Sequence, residues 1–517
     1  MTNQTYGRRR WWALAAVNLA VLACGLDGTV TSVALPTLAR SLRASEADLQ
    51  WFSSAYLVAL AAAMLPSGLL GDSYGRKKVM LGALTLFGAG SAACAGASTP
   101  GEFIAARLLL GVAGAGVVVM ALSALTTLFR GEERQKAIGI WAAVNFVSLP
   151  IGPILGGWLL SRYWWGWVFL LNVPVALSGI VAVALLVPES RPRERPEIDW
   201  AGITTATAAL VALTYGLVEA GEAGWSSAAA FSAIAGGLAL VLAFVGCERR
   251  LARLRSTRRL IDPALLHAGS YTAGVVLQAL AILAMFGVFF VLPQYFQGVF
   301  GTDAMGAGTR LLPLIGGLTI GALPAERVAR KHGWRLPASA GFVVLAAGLL
   351  LGARTDSSSG DAFAGTWTAV AGAGMGLALA TAASAALADV SEEQASIGSA
   401  LMQALNKIGA PLGTAVLGSV LNRGYATRLD LSQLPPPAAA AVRRGLFSGV
   451  EVAERTRSPA LLVSVRSSFV HGMNDALVVS AAVALLGAVL AAFLLPRHQR
   501  VSAISGDFAG ATDASRP

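Results

Sequence analysis

Gly25-Leu26-Asp27-Gly28-Thr29-Val30-Thr31-Ser32-Val33-Ala34-Leu35-Pro36 is the stretch on which the reading of this chain turns. It sets one carboxylate, Asp27, inside an apolar run that begins at Trp11. A charged side chain is costly in hydrocarbon, so an acid at that depth is a functional-site candidate by default. The alternative is a structural acid hydrogen-bonded near Thr29 or Thr31.

The surroundings say that hydrocarbon is the right solvent. The chain has 517 residues, of which 55% are hydrophobic and only 13% charged. Its mean hydropathy is +0.65. Soluble domains carry about 25% charged residues. Apolar runs of about 20 residues, the length that spans a bilayer, recur along almost the whole chain. The expectation is an all-α integral membrane protein. The first apolar run leads into Asp27 without a small-residue cleavage site, so no cleavable signal is expected.

The formal net charge is +11. The basic residues cluster in short loops between apolar runs, so membrane topology explains the charge better than nucleic acid does. Cys24, Cys94 and Cys247 lie in or at the ends of apolar runs and read as packing residues. His267, His332, His471 and His498 fall in expected loops or helix ends without metal-ligand spacing, so no metal is expected.

Fourteen spans are expected, arranged as six, two and six. Residues 1–10 form a polar N-terminus and 11–187 a first six-helix bundle, with spans near 11–38, 48–71, 79–97, 101–128, 136–160 and 165–187. Residues 188–268 form a linker. It holds a Pro- and Arg-rich stretch that stops the helix, two inserted spans near 200–220 and 228–247, and a basic segment from Glu248 to His267. That segment reads as an interfacial amphipathic helix or a solvated linker. Residues 269–496 form a second six-helix bundle, with spans near 270–292, 306–325, 336–353, 363–388, 397–421 and 474–495. It includes a long extracytoplasmic loop at 422–473. Residues 497–517 are expected to be a disordered tail.

The basic loops set the orientation. Arg76, Lys77 and Lys78; Arg130, Arg134 and Lys136; Arg191, Arg193 and Arg195; the arginines of 248–267; and Arg327, Arg330, Lys331 and Arg335 all fall on one side. That side is expected to be cytoplasmic, with both termini on it. The loop at 389–393 is acidic, and the 422–473 loop carries seven arginines on the opposite side. Long loops cross largely regardless of charge.

Three motifs carry chemistry. The first is Gly68-Leu69-Leu70-Gly71-Asp72-Ser73-Tyr74-Gly75-Arg76-Lys77-Lys78. Gly68 and Gly71 allow close helix approach. Asp72, at a helix end, is placed to pair with Arg76 or to sit at a positive helix N-terminus. The alternative is a basic turn that only fixes topology. The second is Ser148-Leu149-Pro150-Ile151-Gly152-Pro153-Ile154-Leu155-Gly156-Gly157. Ser148, Gly152 and Gly156 form a small-residue face, and Pro150 and Pro153 remove backbone donors and bend the helix. Generic glycine packing is the alternative. The third is Arg107 with Gly111 and Gly114. Counting from helix ends puts Arg107 about 9 Å and Asp27 about 15 Å below the outer surface. Intramembrane charges pair, so an Asp27–Arg107 pair is expected. Snorkelling of Arg107 to the headgroups is the alternative.

These motifs, in this order, resemble the major facilitator superfamily. Within it the chain is similar to the fourteen-helix drug:proton antiporters, in which two extra helices separate the six-helix halves. The resemblance covers about residues 11–496. Gly68, Asp72, Gly75, Arg76 and Lys77 match the cytoplasmic gate motif. Ser148, Pro150, Gly152, Pro153, Gly156 and Gly157 match the antiporter motif, with Ser148 where glycine is commoner. Arg107 matches an Arg-x-x-x-Gly pattern, with Leu110 in place of glutamine. Trp164 to Pro174, Pro188-Glu189-Ser190, Ile198 to Gly202, Leu292 to Gln297 and Ala307 to Pro313 add smaller matches. A partial echo of the gate at Gly321 to Gly333 has Ala325 in the acid's place and takes no such role.

The resemblance implies a proton-coupled exporter of amphipathic drugs or antibiotics, working by alternating access in the plasma membrane. Asp27 and Arg107 would couple proton movement. The gate acid Asp72 would meet a second-half helix starting near Ser396, and the antiporter face would pack on a second-half helix. A pocket near the midplane would draw on Trp51, Tyr56, Trp141, Asn145, Gln278, Phe286, Gln403 and Asn406, with Lys407 nearby. Each of these also reads as a packing residue. No cofactor is expected, because the proton gradient drives transport, and a monomer is expected. An importer or symporter, or a non-transporting receptor or scaffold, remain as alternatives. No nucleophile motif, metal set or Gly-x-x-x-x-Gly-Lys-Ser/Thr loop suggests an enzyme or ATP drive.

Overall fold

Backbone groups in hydrocarbon must be satisfied within their own segment, so apolar runs of this length fold as helices. The computed structural model describes residues 2–129, 131–189, 199–253, 269–356, 359–388, 395–432 and 434–496. Among them there are helices and no strand.

The first half holds α1 (Thr2–Leu42), α2 (Glu46–Tyr74), α3 (Arg76–Gly96), α4 (Pro100–Leu128), α5 (Gly131–Arg162), α6 (Trp167–Leu170) and α7 (Asn172–Leu186). Local chemistry sets their starts. Ser45 accepts a hydrogen bond from the Asp48 amide at 3.2 Å, while the Ser45 amide donates to the Asp48 carboxylate at 2.8 Å. This reciprocal capping box begins α2. Thr99 caps α4 by accepting from the Glu102 amide at 3.3 Å, with Pro100 in the first turn. Pro66 removes an internal donor, and α2 bends there by 46°.

The inserted pair is α8 (Trp200–Glu222) and α9 (Ala228–Arg253). Asp199, in the stretch expected to border this pair, caps α8 by accepting from the Gly202 amide at 2.9 Å. The second half holds α10 (Gly269–Gln294), which continues through a wide π turn at Tyr295–Val299. Then come α11 (Ala304–Arg310), α12 (Leu312–Ala322) and α13 (Ala325–His332), a span interrupted near Pro313 and Pro324. It ends with α14 (Arg335–Gly352), α15 (Asp361–Ala388), α16 (Ala395–Arg428), α17 (Pro436–Arg443), α18 (Leu446–Arg455) and α19 (Pro459–Leu494).

Two boundaries differ from the expectation. Residues 2–10 are the start of α1 rather than a separate polar segment. The loop expected at 422–473 is shorter: α16 runs to Arg428, and α19 begins at Pro459, not near 474. Arg466 and His471 lower the hydropathy there, yet Ser458 caps the helix and Arg466 Nε donates to the Gly298 carbonyl at 3.1 Å. Residues 190–198, 254–268, 389–394 and 497–517, which carry most of the Pro- and Arg-rich stretch, most of the basic segment, the acidic loop and the tail, lie outside the described residues.

Eleven helices among the described residues are long and apolar enough to cross a membrane, or twelve when the bent α2 is counted as one span. Two further long helices, α5 and α16, run for 32 and 34 residues.

Each half packs mainly within itself. The halves meet where α2 lies on α16, α5 on α11 and α1 on α10. The inserted α8 packs against α2 and α16, while α9 stays outermost, with Phe231 and Leu242 exposed as lipid contacts would be. In the second half, α15 meets α12 and α14 main chain to main chain. Gly372 and Gly376 of α15 face the backbone of Leu314 and Leu318 on α12, and Gly374 faces Gly341 and Leu345 on α14. Small residues of this kind let membrane helices approach closely.

A buried ion pair as the candidate functional site

Asp27 and Arg107 meet inside the first half. Arg107 Nη1 donates to Asp27 Oδ2, and both side chains are almost wholly buried. The other carboxylate oxygen accepts from Asn172 Nδ2 at 3.2 Å. The guanidinium is held on its remaining sides. Its Nε donates to the Phe52 carbonyl at 3.1 Å. Its Cζ lies 4.7 Å from the Tyr56 ring centre and 6.0 Å from that of Phe169. A cation stacked on aromatic faces is stabilised by their quadrupoles, more so when desolvated. Arg107 therefore does not snorkel to the headgroups. Thr29 and Thr31 do not take up the acid either: their hydroxyls donate to backbone carbonyls.

The Arg-x-x-x-Gly spacing has a steric reason. Gly111 faces the Tyr56 carbonyl and the Leu60 amide, and a methyl there would overlap α2. Gly114 lies under the Tyr56 hydroxyl, which donates to the Cys24 carbonyl at 2.9 Å. The two glycines bring α4 onto α2, and this places the Tyr56 ring against the guanidinium.

The small-residue face of α5 packs on α1 around the same acid. Ser148 lies against Gly25, Gly152 against Thr29 and Gly156 against Val30. The expectation that this face packs on a second-half helix therefore needs correction. Another edge of α5 makes that contact: Gly157 meets the backbone of Ala304 and Met305, and the Pro153 carbonyl faces Gly308, all on α11. The two edges lie on different faces of α5, so one helix serves both halves. The Pro150 side chain is outside the described residues.

At the other end of the first half, Gly75 joins α2 to α3 with φ +106°, a conformation that favours glycine. Arg76 donates to Asp72 at 3.1 Å. Lys77 donates through its amide to Glu189 Oε1 at 3.1 Å and through Nζ to the Ala184 carbonyl at 2.6 Å. Gly68 and Gly71 face Val119 and Met120 of α4. The motif ties α2, α3, α4 and the end of α7 together. The side chains of 387–401, where Asp72 was expected to find a second-half partner, are outside the described residues.

The expected pocket side chains that are described lie in different packing environments. Tyr56 belongs to the Arg107 cradle. Trp51 packs against the small cluster of Ala47, Val218 of the inserted α8 and Ala415 of α16. Trp141 and Gln278 are buried, Gln278 Nε2 lies 3.2 Å from Met402 Sδ, and Phe286 sits beside Phe289. The side chains of Asn145, Gln403, Asn406 and Lys407 are outside the described residues. A small groove, roomy enough for about one water, lies elsewhere, beside the gate turn, between Arg76, Lys77, Met80, Met120 and Val187.

The model of the Major Facilitator Superfamily matches residues 17–414. The chain belongs to the major facilitator superfamily. As a member it is a multi-span helical transporter and not an enzyme. It is 31% identical over 94% of its length to the tetracenomycin C resistance and export protein of Streptomyces glaucescens, 91% of which is covered. It is 33% identical over 80% of its length to the probable actinorhodin transporter of Streptomyces coelicolor, 72% of which is covered. The fold matches that of an inward-facing bacterial homologue of the human lysosomal transporter Spinster. The TM-score there is 0.66 at 17% identity, covering 93% of this chain and 97% of that one.

For this major facilitator chain, two side chains were not singled out from sequence. Asn172 completes the shell of Asp27, and its signal was a polar residue inside an apolar run, just before Pro174. Glu189 caps the start of α3, and its signal was an acid in the Pro-Glu-Ser stretch. Its partner lies 112 residues away, which no local pattern encodes.

Proposed function

We propose that this transporter exports an amphipathic drug or antibiotic in exchange for protons entering the cell. The observation that carries the reading is the buried Asp27–Arg107 pair, with Asn172 on the second oxygen. A proton that adds to Asp27 removes its charge and frees Arg107 from its partner. Burial and neighbouring cations act oppositely on a carboxyl, so a change of environment between outward- and inward-facing states drives proton uptake and release. Gly25, Thr29 and Val30, on either side of Asp27, lie against α5, and α5 also touches the second half. A change at the acid thus has a short path to the contact between halves. The names of the relatives support export of antibiotics as the direction and substrate class.

The same reading counts α5 and α16 as spans, giving fourteen arranged as six, two and six. The bundles fall at 11–187 and 269–496, joined by the 188–268 linker. It puts a monomer in the plasma membrane with both termini in the cytoplasm, driven by the proton gradient without a cofactor. The test is a drug-susceptibility panel in a host lacking its own pumps, with and without a protonophore. Expected is resistance to at least one amphipathic compound, lost with the protonophore. Greater accumulation of substrate by expressing cells would assign import instead. No proton movement on adding any ligand of the panel would leave a receptor or scaffold.

A further inference from the structure

A second acid is buried besides Asp27. Glu46, the first residue of α2, is 5% exposed. It lies at the end of α2 opposite the gate turn, where the two halves close against each other. Its backbone amide donates to the Arg444 carbonyl at 2.7 Å. Gln294, at the end of α10, lies beside its carboxyl, with its own Nε2 donating to the Phe290 carbonyl at 3.1 Å. Gly445, between α17 and α18, has φ +145°, and a methyl there would lie 2.9 Å from Glu46 Oε2. Gln50, one turn further along the same face of α2, presses on Gly418 of α16. The seam thus joins α2 of the first half to α10, α16 and the α17–α18 segment of the second.

No ion pair to Glu46 occurs among the described residues. On α2 itself, Asp48 is taken by Ser45. On α16, the Tyr425 hydroxyl donates to the Val442 and Gly445 carbonyls, at 2.9 and 3.2 Å. The side chains of Arg443 and Arg444 are exposed. Arg40 and Arg43 of the first half are exposed too, with Arg40 stacked on Phe447. Glu46 Oε1, both amide atoms of Gln50 and Gln294 Oε1 are buried without a partner. Unpaired polar groups in such a seam are costly, and an unpaired charge is far more so. Opening the seam would hydrate them all.

We propose that Glu46 is a proton-operated latch on the seam at this end, which the topology above makes the extracytoplasmic one. The closed seam holds the neutral acid, and the open seam holds the hydrated carboxylate. The sign follows from linkage: the closed state binds the proton more tightly, so lowering the pH closes the seam and raising it opens the seam. Proton arrival from outside would then shut the outer mouth, the direction an antiporter needs. The latch rests on the alternating access proposed above, but not on the substrate or on Asp27.

The test reads distance directly. Spin labels go on Ser98→Cys and Arg428→Cys, exposed at the ends of the first and second halves on this side, in a chain with the three native cysteines replaced. In lipid nanodiscs, the distance distribution of the otherwise native chain should shift to the shorter population as the pH falls. Asp27→Asn should retain this shift. Glu46→Gln should remain in the shorter population at all pH values, with the shift lost. Gly445→Ala, which presses on the carboxyl, should move the population towards longer distances. A pH shift in Glu46→Gln equal to that of the parent chain would overturn the latch, while uphill efflux measured in parallel would still stand for the transport reading. Should Glu46→Gln fail to insert, an unchanged distribution in Gly445→Ala would overturn it just as well. A parent chain that shows neither pH shift nor uphill efflux would sink both.

Discussion

At the scale of single residues, the buried pair makes predictions that separate stability from transport. Arg107→Ala leaves Asp27 buried with only Asn172, and removing one partner of a buried pair costs about 3–5 kcal/mol. A clear fall in the thermal unfolding temperature of purified protein is expected. Replacing both members, as Asp27→Asn with Arg107→Gln, removes the stranded charge and should recover much of that loss. Uphill efflux should be absent from the double variant. Asp27→Asn alone should insert and fold yet fail to move drug against its gradient. Uphill efflux by correctly inserted Asp27→Asn would refute the coupling role. Gly75→Ala puts a side chain at φ +106° and against Glu189. The backbone alone costs about 1–3 kcal/mol, so this variant should unfold at lower temperature with Asp27 chemistry intact.

At the scale of elements, α5 is the informative helix. Its Ser148–Gly152–Gly156 edge fits α1, and its Pro153–Gly157 edge fits α11. Gly157→Leu would hold the halves apart at that point. Raised proton leak into proteoliposomes, read with a pH-sensitive dye, is expected without loss of insertion. Leak equal to the parent chain would remove the sealing role from this edge. Helix positions were largely legible in the sequence, because a bilayer demands long apolar runs and the caps mark their ends. The start of α19 was not, because Arg466 and His471 interrupt the apolar pattern. The Ser458-Pro459 pair, a cap followed by proline in the first turn, was the local signal for it. The side of α5 that meets each half was not legible, because one glycine face looks like another until its neighbour is known. Asp27 and Arg107 were legible as a pair, since depth can be counted along helices. The neighbours of Trp51 and Tyr56 were not legible, because an aromatic side chain in an apolar run does not disclose whether it faces a pathway, a cation or another helix.

At the scale of the whole molecule, two self-packed halves meet along three helix pairs, with α8 bridging α2 and α16 at the side. Relative motion of the halves is therefore the available large change, as in other transporters built from repeated bundles. In proteoliposomes, an imposed proton gradient alone should support uphill drug movement. Added ATP should change nothing, and a protonophore should abolish it. Transport that required ATP would contradict the proposed energy source.

The glycine contacts of α12, α14 and α15 set how that motion is shared. Where main chain touches main chain, no side chain is left to change rotamer and absorb a displacement. These three helices must travel together as one slab, with bending confined to their ends. Random substitution should consequently find this slab the least forgiving part of the chain, since even one added methyl at Gly372, Gly374 or Gly376 has nowhere to go.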